Sequence, residues 1–446
     1  METAQSPARA ERWVGTDWWL FWSFALGMLL ENYIFGLAPI ATGWIAHLPS
    51  YLSALMLSWA PIWLIIGIAV AGPLSDRFGR KGTFYVTMAL YAVGGIGLIL
   101  SSGYVPILVF LAVLLFAAGG EMNTIMAASQ EMMPAKHRGK AMMMELNFIN
   151  LGGLVLGVLA VTTKAWSSSE SLQKVSLGIA ILIVLIILFV ARLRTPESLR
   201  WLDRHGQRER VRDEAMRYYG GEEGAIRAAA ALRPTREAAP VAGKSPRLGL
   251  RLYVMMAIAF AGSAGFGLMT YTLGPFYFKN LTADIILVAA IVGFVSGFFG
   301  LFADRLSRRW LLLIGYLGSF LATVVIFLTV GAWSKSLALF WILLVVLNLF
   351  VNVAYLTEDT LKSEVWPTRV RGTLTALVRF VSIGLYIPTI YIALGLSLRG
   401  AMLFNMLIWA IGLSGALLWF SRGNETGAGV SIDEASAGLS DAAGGA

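Results

Sequence analysis

The sequence predicts an all-α integral membrane fold: twelve transmembrane helices in two pseudo-symmetric halves of six. Three observations carry this. Hydrophobic residues make up 57% of the 446-residue chain and charged residues only 14%, whereas about a quarter of a soluble protein is charged. The apolar residues come in runs long enough to cross a bilayer, which takes about 20 residues of helix. Two unlike motifs also occur twice each. Gly72-Pro73-Leu74-Ser75-Asp76-Arg77-Phe78-Gly79-Arg80-Lys81 returns 228 positions later as Gly300-Leu301-Phe302-Ala303-Asp304-Arg305-Leu306-Ser307-Arg308-Arg309. Glu131-Met132-Met133-Pro134-Ala135-Lys136-His137-Arg138-Gly139 returns 233 positions later as Glu364-Val365-Trp366-Pro367-Thr368-Arg369-Val370-Arg371-Gly372. Independent motifs repeating at nearly one period mean two homologous halves, which in an apolar chain is a repeat-built membrane architecture.

Composition also excludes other classes. The formal charge of +9 does not point to nucleic acid, because the bases fall in loops between apolar runs. Cysteine is absent, which removes disulfides, thiol catalysis and thiolate metal sites. His47, His137 and His205 show no H-x-x-x-H spacing, so no metal is expected. There is no G-x-x-x-x-G-K-S/T phosphate loop and no nucleophile–base constellation, so neither ATP chemistry, an organic cofactor nor an enzyme is expected. Residues 1–17 are polar and of mixed charge, and the first apolar run is too long for a signal-peptide core; it is expected to be a retained span.

In chain order the spans are expected near 18–42, 51–71, 82–101, 105–130, 141–163, 175–193, 251–277, 284–303, 310–331, 337–357, 373–396 and 401–420. The loops after spans 2, 4, 8 and 10 each carry three bases, and the loop after span 6 carries fourteen. The five opposite loops share Lys164, Lys174, Lys279, Lys335 and Arg399. Positive loops stay inside, so both termini are expected in the cytoplasm, with the chain in the plasma (inner) membrane. The halves are then 1–193 and 251–421. Between them, 194–250 forms a cytoplasmic linker in which Pro196 suits a first helical turn. An amphipathic helix is expected over 197–218, a weaker one over 222–233, and irregular chain over the Pro/Ala/Gly-rich 234–249. Fourteen bases against eight acids fit either anionic headgroups or a plain solvated connector. The Gly/Ala/Ser-rich tail, 422–446, is expected to be disordered.

Four ionisable groups fall inside the spans: Glu31, Glu121, Glu145 and Arg379. Such charges are costly in lipid and are expected to face a cavity or a partner. Glu31 lies about 20 Å into span 1, near the midplane, where loss of water favours the protonated acid; it is the candidate proton carrier. The bland reading is a carboxylate tied to Asn32, Tyr33 or a neighbouring helix. Glu121, roughly 15 Å above the cytoplasmic end of span 4, is a candidate for proton or substrate binding. Glu145, only about 6 Å inside, suits packing or gating. Arg379 is expected to pair with Glu121 or Glu145, or to meet an anionic substrate. Asn348, Asn352 and Tyr355 on one face of span 10, with Trp341 two turns earlier, outline a small-molecule pocket with Tyr271, Asn147 and Asn150. Each of these is also ordinary interhelical hydrogen-bonding material.

The first motif resembles the loop signature G-x-L-A/S-D-R-x-G-R-R/K of the major facilitator superfamily. The second resembles the E-x-x-P-x-x-x-R-G of its sugar and metabolite transporter branch. Thr195-Pro196-Glu197-Ser198-Leu199-Arg200-Trp201-Leu202 is similar to the P-E-S-P-R-W-L that follows span 6 there. Gly119-Gly120-Glu121 is similar to the G-G-E of nicotinate-type and synaptic-vesicle-glycoprotein-like carriers. The resemblance implies a monomeric secondary transporter, working by alternating access on a small organic metabolite and coupled to protons. Glu31 stands where that branch carries an acid in span 1. The resemblance also implies a cytoplasmic gate of Asp76, Arg80, Glu131, Arg138, Glu197, Asp304, Arg308, Glu364 and Arg371. Partly exposed ion pairs are worth about 0–1 kcal/mol each, which suits a latch that must open; the same charges also suffice to orient the chain. Ser307 and Leu199 depart from the pattern, standing for a glycine and a proline. The Gln-Gln pair that sugar porters carry in span 7 and the glutamine of span 5 are absent, which lowers a hexose. Three buried acids favour a neutral or cationic substrate, while the nicotinate resemblance favours an organic acid. A facilitative or antiport carrier of sugars or organic cations, and a non-transporting receptor, are the alternatives.

Overall fold

The computed structural model describes residues 12–45, 47–134, 137–166, 169–232, 248–366 and 371–426, with backbone alone at Asp304, Ser363 and 371–373. All regular structure in these residues is helical. Lipid offers no hydrogen-bonding partner, so each crossing segment must satisfy its own backbone, and a helix does so within one segment. Spans 1 to 6 are α1 (Gly15–Phe35), α2 (50–78), α3 (80–100), α4 (Tyr104–Met132), α5 (Arg138–Trp166) and α6 (Glu170–Leu193). Three linker helices follow: α7 (Leu199–Arg204), α8 (Arg208–Tyr219) and α9 (Gly221–Ala231). Spans 7 to 12 are α10 (Leu248–Gly267), α11 (Thr282–Ser296), α12 (Arg308–Leu328), α13 (Leu337–Glu364), α14 (Arg371–Leu394) and α15 (Leu398–Arg422).

Eleven helical stretches among the described residues are long and apolar enough to cross a membrane. One of them, Ser50–Leu100, has 51 residues, about 77 Å of helix against a hydrocarbon core of about 30 Å. It breaks at Gly79 (φ 84°, ψ 169°) and supplies two spans, giving twelve. That backbone geometry is open essentially to glycine alone. Serine side chains start several helices: Ser169, Ser198, Ser307, Ser336 and Ser397 each accept a backbone N–H of the first turn, which satisfies a donor that the helix leaves free.

Two expectations change. The single linker helix over 197–218 is two helices, because Gly206 turns the chain at φ 71°. The linker helices pack around Trp201, Leu202, Val211, Ala215 and Ala228 and are fastened to the first half. Arg227 holds Asp17 of α1 through two bonds of 2.8 and 2.9 Å, and Lys81 donates to the Tyr218 hydroxyl at 2.9 Å. The tail is likewise ordered at its start: after α15 the chain continues through residues 423–426, of which Glu425 and Thr426 are paired as described below. Residues 427–446, and 234–247 of the linker, lie outside the described residues.

Two spans depart from α geometry. Span 7 passes through a π turn at Leu268–Thr272, which carries Tyr271; such bulges often mark functional sites. Span 8 ends as a 3₁₀ segment, Gly297–Arg305. The halves meet directly: Ser58 of α2 bonds the Tyr391 hydroxyl of α14 at 2.8 Å. At the linker face Tyr355 and Leu356 of α13 pack with Phe24, Met28, Met126 and Met142 of the first half.

Candidate functional site

A cavity lies between the halves, with about 140 Å³ open to the centre of a water molecule. At about 10–15 Å³ of such space per water, it holds on the order of ten waters or one small solute. From the first half its wall includes Glu31, Asn32, Met122 and Asn150; from the second, Tyr271, Asn348, Asn352, Tyr355 and Tyr386. Amides and phenols are tied into a frame. Tyr271 donates to Asn32 Oδ1 at 2.5 Å, and Asn32 Nδ2 donates to the Ile149 carbonyl at 2.9 Å. Asn150 donates across the halves to Asn352 Oδ1 at 2.8 Å, and Asn352 in turn donates to the Gly293 carbonyl and Ser296 Oγ. Buried amides with satisfied partners hold a fixed orientation.

The charged wall is asymmetric. The second half supplies a chain of ion pairs: Glu358 to Lys362 (2.6 Å), Lys362 to Asp359 (2.5 Å) and Asp359 to Arg379 (2.7 Å). The first half supplies Glu31 alone, buried, with Oε2 lacking a hydrogen-bond partner. Arg379 therefore does pair with a carboxylate, but with Asp359 rather than the expected Glu121 or Glu145. The expected acidic excess is smaller too: Lys362 joins Arg379 against Glu31, Glu358 and Asp359.

Seven of the ten predicted pocket and proton residues line the cavity: Glu31, Asn150, Tyr271, Asn348, Asn352, Tyr355 and Arg379. Glu121 does not. It is fully buried within the first half, paired with Arg192 of α6 at 2.5 Å and accepting from Thr87 at 2.7 Å. Gly27 of α1 lies on this pair; a Cβ there would stand 2.5 Å from Glu121 Oε1. Asn147 does not line it either, and instead donates to the Phe294 carbonyl of α11 at 3.1 Å. Glu145 is fully buried away from the cavity, and Trp341 is likewise absent from its wall.

At the linker face each half builds its own cluster. In the first, Arg80 binds Glu131 (3.0 Å), Asp76 (3.0 Å) and Ser75 (2.5 Å). Glu197 accepts the backbone N–H groups of Arg80, Lys81 and Ser198 at 3.0, 3.1 and 2.8 Å, and Ser198 Oγ donates to Glu131 at 2.7 Å. Burial pushes the Glu197 carboxyl above its usual range, against those three donors. In the second, Arg308 binds Glu364 (3.4 Å) and the Ala303 carbonyl (2.6 Å). Glu425 accepts the Arg308 N–H (2.8 Å) and the Ser307 hydroxyl, and Thr426 donates to Glu364 (2.7 Å). Arg138 starts α5 half-buried; the side chains of Asp304 and Arg371 are outside the described residues. Expected gate charges thus pair within a half, and Glu425 and Thr426 join them from the tail. They stand 228 positions after Glu197 and Ser198, the period of the loop motif, a signal that the reading of the tail as disordered left unused.

The family model of the Major Facilitator Superfamily matches residues 14–385. The chain belongs to the major facilitator superfamily. It is a multi-pass membrane transporter of a small molecule, and not an enzyme, in the sugar and metabolite branch. It is 26% identical over 399 residues to the glucose transporter GlcP of Staphylococcus epidermidis, covering 82% of this chain and 85% of that one. To the niacin transporter NiaP of Acinetobacter baylyi it is 25% identical over 138 residues, 31% of this chain and 28% of that one. Its fold is similar to that of the proton:xylose symporter XylE bound to 6-bromo-6-deoxy-D-glucose, with a TM-score of 0.69 at 19% identity, covering 94% of this chain and 99% of XylE. Of the charges lining the cavity, Glu358, Asp359 and Lys362 were missed from the sequence. Hydropathy ended span 10 at residue 357, whereas α13 runs on to Glu364.

Proposed function

We propose that this transporter is a proton-coupled symporter of a neutral polar solute of the monosaccharide class, working by alternating access with the linker face in the cytoplasm. The observation that carries the reading is the unpartnered carboxylate oxygen of Glu31 in a cavity whose other charges balance. A buried carboxylate without a counter-ion is far less costly when it holds a proton. With that proton bound, Glu358 and Asp359 offset Lys362 and Arg379, so a neutral solute leaves the loaded cavity uncharged. Asn32, Asn150, Asn348 and Asn352 offer the amide groups that the missing glutamines would have offered to sugar hydroxyls. The names of the glucose and xylose relatives support the same class. An organic acid is the second reading, favoured by Arg379 and by the shorter likeness to the niacin carrier.

The test is uptake of D-glucose, D-xylose and nicotinate into proteoliposomes with an inside-alkaline gradient, for the wild type and Glu31→Gln. Gradient-driven sugar uptake that Glu31→Gln abolishes is expected. Sugar uptake indifferent to the gradient means a uniporter, driven uptake of nicotinate alone means an acid carrier, and no uptake of any of the three sinks the proposal.

A further inference from the structure

Glu31 shares its cavity with two cations of the opposite half, Lys362 of α13 and Arg379 of α14. Glu31 and Arg379 are more than nine-tenths buried, at 8% and 3% exposure, and both hold bonding capacity in reserve. Glu31 Oε2 and Arg379 Nε lack partners. One amino group of Arg379 is held by Asp359; the other meets Met122 Sδ of α4 at 2.8 Å. A thioether is a weak acceptor, so the guanidinium reaches into the first half without finding an oxygen there.

We infer that Arg379 converts the protonation state of Glu31 into a tie between the halves. With the proton on Glu31, Arg379 stays on Asp359 in its own half and the halves rock freely. When Glu31 releases its proton to cavity water, its carboxylate becomes the better second acceptor, and Arg379 bridges the halves. Only the Glu31 O–H bond breaks; the new contacts are N–H···O bonds. The inference rests on Glu31 being the proton site. The other titratable groups on the cavity wall are Tyr271 of span 7, Tyr355, Glu358, Asp359 and Lys362 of α13, and Tyr386 of α14. None competes for the role: the tyrosines carry no positive charge, and Lys362 is clamped between Glu358 and Asp359. In the helices beside α1, Glu121 and Arg192 neutralise each other, and Glu145 is an acid.

The absence of cysteine makes the test direct. Arg77→Cys and Arg305→Cys, both exposed at the linker ends of opposite halves, take spin labels whose separation is followed against pH by double electron–electron resonance in nanodiscs. The labelled parent is expected to switch between two distance populations with one pH midpoint. Asp359→Asn releases Arg379 toward Glu31 and moves that midpoint acid by roughly one pH unit, the smaller end of what a nearby opposite charge does. Arg379→Gln moves it alkaline by a similar amount, and Arg379→Lys restores most of the parent value. Opposite shifts from breaking one ion pair are what a structural role does not produce. Shifts in the same direction, or none, overturn the inference. If Glu31→Gln keeps the pH switch, the proton-site reading fails instead. Should Arg379→Gln not fold, the charge-balanced Arg379→Gln/Asp359→Asn pair replaces it, and the acid shift of Asp359→Asn is expected to be abolished in it, because no Arg379 is left to be released.

Discussion

The two linker-face clusters are built on the same arginine–glutamate pair and a second, capping glutamate, and close differently. In the first half Gly79 takes a positive φ and comes so near Glu197 that a Cβ would lie 2.4 Å from its Oε2. The carboxylate therefore caps the backbone of Arg80 and Lys81 directly. In the second half Ser307 is extended (φ −69°, ψ 122°), and its hydroxyl donates to Glu425 in place of one backbone N–H. Ser75 holds Arg80 through its side chain, where Ala303 has only its carbonyl for Arg308. The arginine–glutamate pair survives in both halves, while the supporting contacts are interchangeable. A repeat preserves the charge geometry that must be desolvated together and tolerates any donor that completes it.

That contrast can be broken at its centre. Arg80→Met and Arg308→Met each strand a buried glutamate, which costs about 3–5 kcal/mol. The larger loss is expected in the first half, where Arg80 makes two bonds to Glu131; equal drops in the melting temperature of purified protein would contradict this. The turn residues give a sharper, asymmetric test. Gly79→Ser is expected to cost about 2–3 kcal/mol through strain and collision with Glu197, and Ser307→Gly only about 1 kcal/mol. Identical costs would mean that the turns are equivalent after all. At the small end, Ser198→Ala and Thr426→Ala each remove one hydroxyl from a buried glutamate and should each cost about 1 kcal/mol. A Thr426→Ala melting curve indistinguishable from wild type would remove Thr426 from the second cluster and leave the tail's part in it to Glu425.

The halves differ more in their interiors than at this face. The first hides its ion pair, Glu121 with Arg192, under Gly27 and shows the cavity a lone Glu31. The second lines the cavity with four coupled charges. Reading the chain alone found Glu31 and Arg379, because a charge within an apolar run stands out. It missed Arg192, which sits in the last turn of α6 and counts as a loop base until Glu121 is seen beside it. It missed Glu358, Asp359 and Lys362 because they follow the apolar window, although α13 carries them inside the protein rather than out of the membrane. Glu425 and Thr426 were concealed by the composition of the tail around them.

The sequence by itself determined the class, the twelve spans and the two-fold repeat. Bilayer thickness sets the length of an apolar run, and a duplicated loop keeps its spacing whatever surrounds it. Only the tertiary structure decided which charge answers which. Asp359 rather than Glu121 or Glu145 holds Arg379, and Glu425 returns from the end of the chain to Arg308. Those choices depend on polar atoms from segments apart in sequence coming within about 3 Å, the range over which a hydrogen-bonded ion pair forms, and no local pattern of residues encodes that distance.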